Sequence, residues 1–197
     1  MALSKQAKTL SKSQVDTALA YLTQTRYPIR NRVAFLLSVK AGLRAKEIAS
    51  LTWDMVTTAD GEIGHAIHLT NDASKGSNGG RVIAMNKELR VALADLMASS
   101  VIKAGMPVIT TERNRTTGTS AQAVVNMFQG WFQLLGFSGC SSHSGRRTFI
   151  TNAARKISTV GGSLRDVQML AGHSNLSTTQ RYIEADSEAQ QRIVQMV

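Results

Sequence analysis

The chain has 197 residues, 43% of them hydrophobic, which suffices for one large domain or one domain with a short appendage. Its 23 Lys and Arg against 13 Asp and Glu give a formal charge of +10, so a polyanionic partner is expected, nucleic acid ahead of membrane lipid. A single cysteine, Cys140, excludes an internal disulfide and leaves no cysteine pair to hold zinc, no apolar run approaches the roughly 18 residues of a membrane span, and the start MALSKQAKTLSKSQ lacks the apolar middle of a secretory signal. A reducing cytoplasm is the expected compartment.

Residues 1–10 carry no periodic pattern and are expected to be disordered. Ser13 then precedes Val15, Ala18, Leu19 and Leu22 at helical spacing, with Asp16 in the capping-box position. Pro28 can open a second helix at its first position. Val33 to Val39 are apolar nearly all round, which predicts a buried helix, and Gly42 ends it. A short helix follows through Glu47, Ile48 and Leu51. The texture changes at TTADGEIGHAIHLTNDASKGSNGGRVIAM: an Asp60-Gly61 hairpin signal, alternating Ile63, His65, Ile67 and Leu69, a Gly-rich turn and Val82 to Met85. This predicts a small antiparallel sheet of about three strands. His65 and His68 fall on opposite sides of such a strand and should be surface residues.

Helical texture returns at Asn86, with Leu89, Leu93 and Leu96 on one face. TERNRTTGTS (111–120) is a basic polar loop. Ser120 caps a helix carrying Val124, Phe128, Trp131 and Leu135, with Gly136 as its stop. Further helices are predicted at 143–158 and 163–171, the latter with Ser163 and Asp166 as a capping box, and a last helix should carry Tyr182. The predicted class is α+β, mostly helical with one small antiparallel sheet, without a visible domain boundary.

Several short stretches bear chemistry. HSGRR sets His143 and Arg146 on one face at a helix start, either a phosphate site or a cap with solvated bases. AGLRAKE places Arg44 after a Gly-ended helix with Glu47 three positions on to orient the guanidinium, a pattern that alone is more often an ordinary surface ion pair. Lys75 sits in a hairpin tip, ASKGSNGG, where it reaches a ligand or simply water. His173 and Tyr182 stand in LAGHSNLSTTQRYIEAD. Cys140, Ser141, Ser142 and Ser144 crowd His143, but no Gly-x-Ser-x-Gly elbow supports a hydrolase.

Arg44, Lys75, His143, Arg146, His173 and Tyr182, in this order, resemble the tyrosine recombinase (phage integrase) family. The likeness runs from AGLRAKEIASLTWDMV through SKGSNGGRVIAM and HSGRRTFITNAA to VQMLAGHSNLSTTQRYI. It implies a DNA breaking-rejoining catalytic domain that transfers strands through a 3′-phosphotyrosine on Tyr182, with neither ATP, metal nor cofactor. It further implies Arg44 and Arg146 as phosphate clamps, His173 as a phosphate hydrogen-bond donor, His143 as base or relay, Lys75 as general acid and Glu47 as the buttress of Arg44. Arg81 and Lys87 are the nearest substitutes for Lys75, because hairpin length varies in the family. Arg113, Arg115 and Arg147 are candidate phosphate contacts. Double-stranded DNA is the implied partner, bound by a homo-oligomer, a tetramer in this family, with no membrane role.

Gly145 stands where the family often has Leu, Arg147 where a His is common and Ala171 where a Leu is common, which predicts altered packing beside the site. The likeness begins near residue 10, so no separate N-terminal DNA-clamping domain is expected in this chain. It is similar in size to single-domain members such as the fimbrial phase-variation recombinases, or to a catalytic fragment. The tail at 183–197 packs either on its own domain or on a neighbouring protomer. Two other functions compete: a non-catalytic DNA-binding regulator, for which AGLRAKEIASLTWDMV superficially reads as a helix-turn-helix, and a type IB topoisomerase-like nicking-closing enzyme.

Overall fold

The helix α1 (Lys12–Leu22) is capped two residues before the predicted cap, Ser13. Ser11, not Ser13, is the N-cap: its hydroxyl accepts from the Gln14 backbone N–H at 3.2 Å while the Gln14 side chain accepts from the Ser11 N–H at 2.9 Å. The third helical position is therefore taken by Gln14, and Asp16 lies too far into the helix to close the box. The computed structural model describes residues 7–73, 80–99, 102–103, 105–113, 116–182 and 194–195. Within the stretch expected to be disordered, Lys8 and Leu10 are held: Lys8 N–H donates to the Gly139 carbonyl, and Leu10, 5% exposed, donates to Thr148 Oγ1 at 2.7 Å. One buried leucine and two backbone bonds suffice to fix the approach to α1.

The chain forms two compact units, Met1–Phe149 and Ile150–Val197. The division falls inside α6 (Ser144–Lys156), so no linker composition marks it.

In the first unit, α2 (Pro28–Ala41) has Pro28 at its start and is buried on nearly every side, with Val33 to Leu37 fully enclosed. Gly42 caps it at φ 67°, its N–H on the Ser38 carbonyl and Leu43 N–H on the Leu37 carbonyl. That left-handed conformation costs an L-residue roughly 1–2 kcal/mol, and a Cβ here would also strike the Phe149 ring. The next helix, α3 (Ala45–Ser50), packs on α5 (Ala121–Leu134), and α2 packs on α4 (Lys87–Ala98). Asn86 and Ser120 cap α4 and α5 through their side chains, as the pattern predicts. Phe35, Phe128, Trp131 and Phe132 form the aromatic centre of this core, with Phe35 stacked on Phe128 at 6.2 Å.

The sheet has two strands among the described residues, β1 (Ala66–Leu69) and β2 (Arg81–Ala84), paired antiparallel with Ile67 opposite Ile83. Where a third strand was expected, a single bridge joins Thr57 to Ile63 around the Asp60-Gly61 turn. Only Ile63 of that arm is apolar, too little side chain to extend a ladder. Ile67, Leu69 and Ile83 face the core, and His65 and His68 are exposed. After α3 the chain passes into a 3₁₀ turn, Trp53–Met55, and then to the hairpin, so no recognition helix follows α3 and the helix-turn-helix reading lapses.

The second unit continues α6 into a 3₁₀ turn and then α7 (Leu164–Ala171) and α8 (Leu176–Gln180). Ile150, Val167, Ala171 and Thr179 are buried within it. The Asp166 carboxylate accepts from the Ser163 N–H at 2.7 Å and hydroxyl at 2.9 Å, which starts α7 as predicted and holds the carboxyl below its ordinary range. Gly172 ends α7 in the left-handed conformation. Among the described residues no helix is long and apolar enough to cross a membrane.

Candidate active site

The arginine group lies in the first unit. Arg44 is the residue that opens α3, in extended conformation, because Gly42 has just ended α2. Its backbone N–H donates to Glu47 Oε2 at 2.7 Å and its Nη1 to Glu47 Oε1 at 2.8 Å. Glu47, 0% exposed, also receives both terminal nitrogens of Arg81, Nη1 to Oε1 at 2.8 Å and Nη2 to Oε2 at 3.0 Å. Burial pushes the Glu47 carboxyl up, but the Arg81 hydrogen bonds and charge, with those of Arg44, outweigh it and hold the group below the usual carboxylate range.

Arg146, 3% exposed, sits in the first turn of α6 and donates Nη1 to the Gly42 carbonyl at 2.6 Å. The glycine that ends α2 therefore both releases Arg44 and receives Arg146. The neighbouring Gly145 has a packing cause: a Cβ there would lie 2.9 Å from Ser38 Cβ and from Val39 Cγ1, so α6 approaches α2 more closely than a leucine would permit. His143, exposed, precedes α6; its N–H donates to Ser141 Oγ at 3.3 Å and its carbonyl accepts from Arg147 N–H at 2.9 Å. Ser144 Oγ accepts from the Ser141 N–H at 3.0 Å, and Ser141 Oγ is engaged by the His143 N–H, so these serines build the turn into α6. That is not the setting of a hydrolase nucleophile.

The second unit carries the other group. The His173 backbone is fixed twice, its N–H on the Gln168 carbonyl and its own carbonyl receiving Gln168 Nε2 at 2.9 Å. Its Nδ1 pairs with Thr179 Oγ1 at 2.9 Å, and Thr179 is fully buried. The imidazole stacks on the Tyr182 phenol with centroids 5.3 Å apart and planes at 25°. Tyr182 lies beyond α8, in a turn closed by its N–H on the Thr179 carbonyl, not inside a helix as predicted. The run LSTT is rich in Ser and Thr, whose hydroxyls compete with helical backbone bonds, so α8 stops at Gln180. Thr151 Oγ1 donates to the Tyr182 carbonyl at 3.1 Å and tethers the turn to α6.

The structure thus brings together Arg44 with Glu47 and Arg81, and His173 with Tyr182. Lys75 and Arg115 lie outside the described residues, as does most of the tail at 183–197. Arg113 is exposed on the loop after Thr111, and Arg147 is half-buried. Lys87 is exposed at the start of α4. Sequence reasoning did not find Thr179, Thr151 or the Gly42 carbonyl as partners, since a Thr and a main-chain oxygen carry no signature. A cavity of about 420 Å³ near Tyr27, Trp53 and Met106 holds none of the predicted catalytic residues.

The arrangement is that of permanent cations held rigidly by buried acceptors, and of an imidazole presented against a phenol. Residues 8–189 match the family model described as the phage integrase family, and the chain belongs to that family. It is 30% identical over 186 residues to the tyrosine recombinase XerC of Xylella fastidiosa strain M23, covering 94% of this chain and 58% of that protein. To the tyrosine recombinase XerA of Thermococcus kodakarensis it is 28% identical over 183 residues, 92% of this chain and 59% of the relative. The chain therefore spans about three-fifths of the length of these curated relatives. Its fold is shared with a crystal structure of XerA recombinase, at TM-score 0.71 and 20% identity over 100% of this chain and 65% of that one. It is likewise shared with the Tn1549 transposon integrase solved with a circular intermediate DNA, at TM-score 0.73 and 18% identity over 99% of this chain and 67% of that one.

Proposed function

We propose that this chain is the catalytic domain of a site-specific DNA recombinase that cuts and rejoins strands through a 3′-phosphotyrosine on Tyr182, without ATP or metal. The observation that carries this reading is the pairing of His173 with Tyr182, the imidazole stacked on the phenol while buried Thr179 fixes its Nδ1. A tyrosine is a poor nucleophile near neutral pH, its pKa being about 10, so it needs an activated phosphate and a destination for its proton. Arg44 and Arg146 would supply permanent charge to the non-bridging oxygens as the pentacovalent centre forms.

Tyr182 Oη attacks phosphorus, the bond to the 5′-oxygen breaks, and the 3′-phosphoryl group remains on the tyrosine. The tyrosine proton passes to a base, for which the family resemblance offers His143. The departing 5′-oxygen takes a proton from a general acid, for which it offers Lys75. A partner strand's 5′-hydroxyl reverses the sequence, and because the phosphodiester free energy is kept in the aryl ester, no nucleotide cofactor is required. Arginines do the charge stabilisation that a divalent ion performs elsewhere.

Double-stranded DNA is the substrate, and the net charge of +10 supports it. Arg113, Arg115 and Arg147 are assigned to backbone phosphates, and the assembly is a homotetramer on DNA acting in the cytoplasm. The test is incubation with a nicked duplex bearing a site selected from a random pool by the protein itself. A covalent adduct that forms in EDTA and disappears in Tyr182→Phe is expected. An adduct of equal yield in that variant, or one dependent on a divalent ion, overturns the assignment.

A further inference from the structure

We infer that Arg81 is a positioning residue for the phosphate clamp, setting through the buried Glu47 carboxylate where the Arg44 guanidinium stands. The inference rests on the reading of Arg44 as a clamp given under Proposed function. Both Glu47 oxygens are shared between the two arginines. Oε1 accepts from Arg44 Nη1 and Arg81 Nη1, each at 2.8 Å, and Oε2 accepts from the Arg44 N–H at 2.7 Å and Arg81 Nη2 at 3.0 Å. Arg44 places its side chain on one oxygen only. Arg81 alone grips the carboxylate with a two-toothed fork, which fixes its position and its rotation together. The orientation of Arg44 is thus inherited from a residue on β2, 34 positions from Glu47.

Exposure separates the roles. Glu47 is 0% exposed, Arg81 11% and Arg44 25%, so Arg44 is the member of the triad that reaches outward and Arg81 the member that stays behind. Charge makes the same distinction. Arg44 with Glu47 alone is a neutral pair, in which the carboxylate competes with any phosphate for the guanidinium. With Arg81 added, one carboxylate is shared by two cations, and the cluster keeps a net positive charge to offer an anion. Arg81 therefore supplies geometry and also the charge that prevents Glu47 from neutralising the clamp. Although Arg81 is a near substitute for Lys75 in sequence, its fork is committed to Glu47, which argues for positioning rather than proton donation.

The test compares single-turnover adduct formation on two nicked duplexes carrying the same selected site. One has an ordinary phosphate at the scissile position and the other a methylphosphonate, in which a methyl group replaces one non-bridging oxygen and removes the negative charge that the clamp must meet. Arg81→Met is expected to bind the phosphate duplex within about threefold of wild type and to form adduct about tenfold to a hundredfold more slowly. On methylphosphonate the same variant should fall within about threefold of wild type, because a neutral centre asks little of the clamp. Arg81→Lys keeps the charge and loses the fork; it should lose about fivefold on phosphate and almost nothing on methylphosphonate, and it carries the test if the methionine variant does not fold. An equal fractional loss on both duplexes would mark Arg81 as merely structural and overturn the inference, as would wild-type rates on phosphate. Absence of wild-type adduct on the phosphate duplex overturns the proposed function itself, and the inference with it.

Discussion

Replacing Glu47 with Gln removes the one negative charge from a buried cluster of two guanidinium groups. The carboxylate is fully enclosed and accepts four hydrogen bonds from charged or main-chain donors. An amide of the same shape keeps one acceptor oxygen and turns an NH₂ toward donors, leaving Arg44 and Arg81 to repel each other. Breaking a buried ion pair in this manner costs about 3–5 kcal/mol. At about 2–4 °C per kcal/mol for a chain of this size, the melting temperature should fall by about 6–20 °C at pH 7. The pH dependence follows from the depressed Glu47 pKa. Its stabilisation is complete above the unfolded glutamate value near 4.3 and is lost as pH falls through the lower folded value. Circular dichroism melts of wild type and Glu47→Gln from pH 7 downward should therefore show a difference that stays constant to about pH 4.3 and narrows below it. A difference that widens on acidification, or one below about 2 °C at pH 7, would refute a buried carboxylate that anchors two arginines.

Gly42→Ala should destabilise the first unit by about 2–5 kcal/mol, the sum of about 1–2 for the left-handed backbone and about 1–3 for overpacking against Phe149, read as a thermal melt. Adduct formation should fall with it, because the Gly42 carbonyl holds Arg146. Thr179→Val removes the partner of His173 Nδ1 at nearly constant volume and should slow cleavage by about tenfold without weakening DNA binding, with Thr179→Ser restoring the rate; a valine variant at wild-type rate would remove Thr179 from the site. Arg146→Ala should bind DNA within about tenfold of wild type and lose about a hundredfold or more in cleavage, measured by gel shift and single-turnover assay.

The helices were legible because their signals are local. Pro28 and Gly42 bracket α2, Asn86 and Ser120 cap α4 and α5, and the Ser163–Asp166 box opens α7. Where two local signals competed, the sequence misled: Ser11 and Ser13 both precede the α1 stripe, and only the partner three residues on, Gln14, decides between them. The turn at Tyr182 was missed because LSTTQR has helical length while its hydroxyls favour main-chain turns. The Glu47–Arg44 spacing is local, whereas the Glu47–Arg81 fork joins α3 to β2 and depends on the hairpin register that sets Leu69 opposite Arg81. No motif encodes a bond of that kind. Gly145 looked like a departure from the family and proved to be a consequence of the close passage of α6 over α2.

The identity of the nucleophile is the claim on which the chemistry stands. The chain contains three tyrosines. Tyr27 is flanked by the Arg26 and Arg30 guanidiniums with its hydroxyl on the Glu112 carbonyl, and Tyr21 packs against the core, whereas Tyr182 stacks on His173. Mass spectrometry of the covalent adduct after nuclease and trypsin digestion reads the nucleophile directly. The account predicts a nucleotide joined through its 3′-phosphate to Tyr182. A nucleotide on Tyr21, Tyr27 or a serine, or a linkage through the 5′-phosphate, would contradict it.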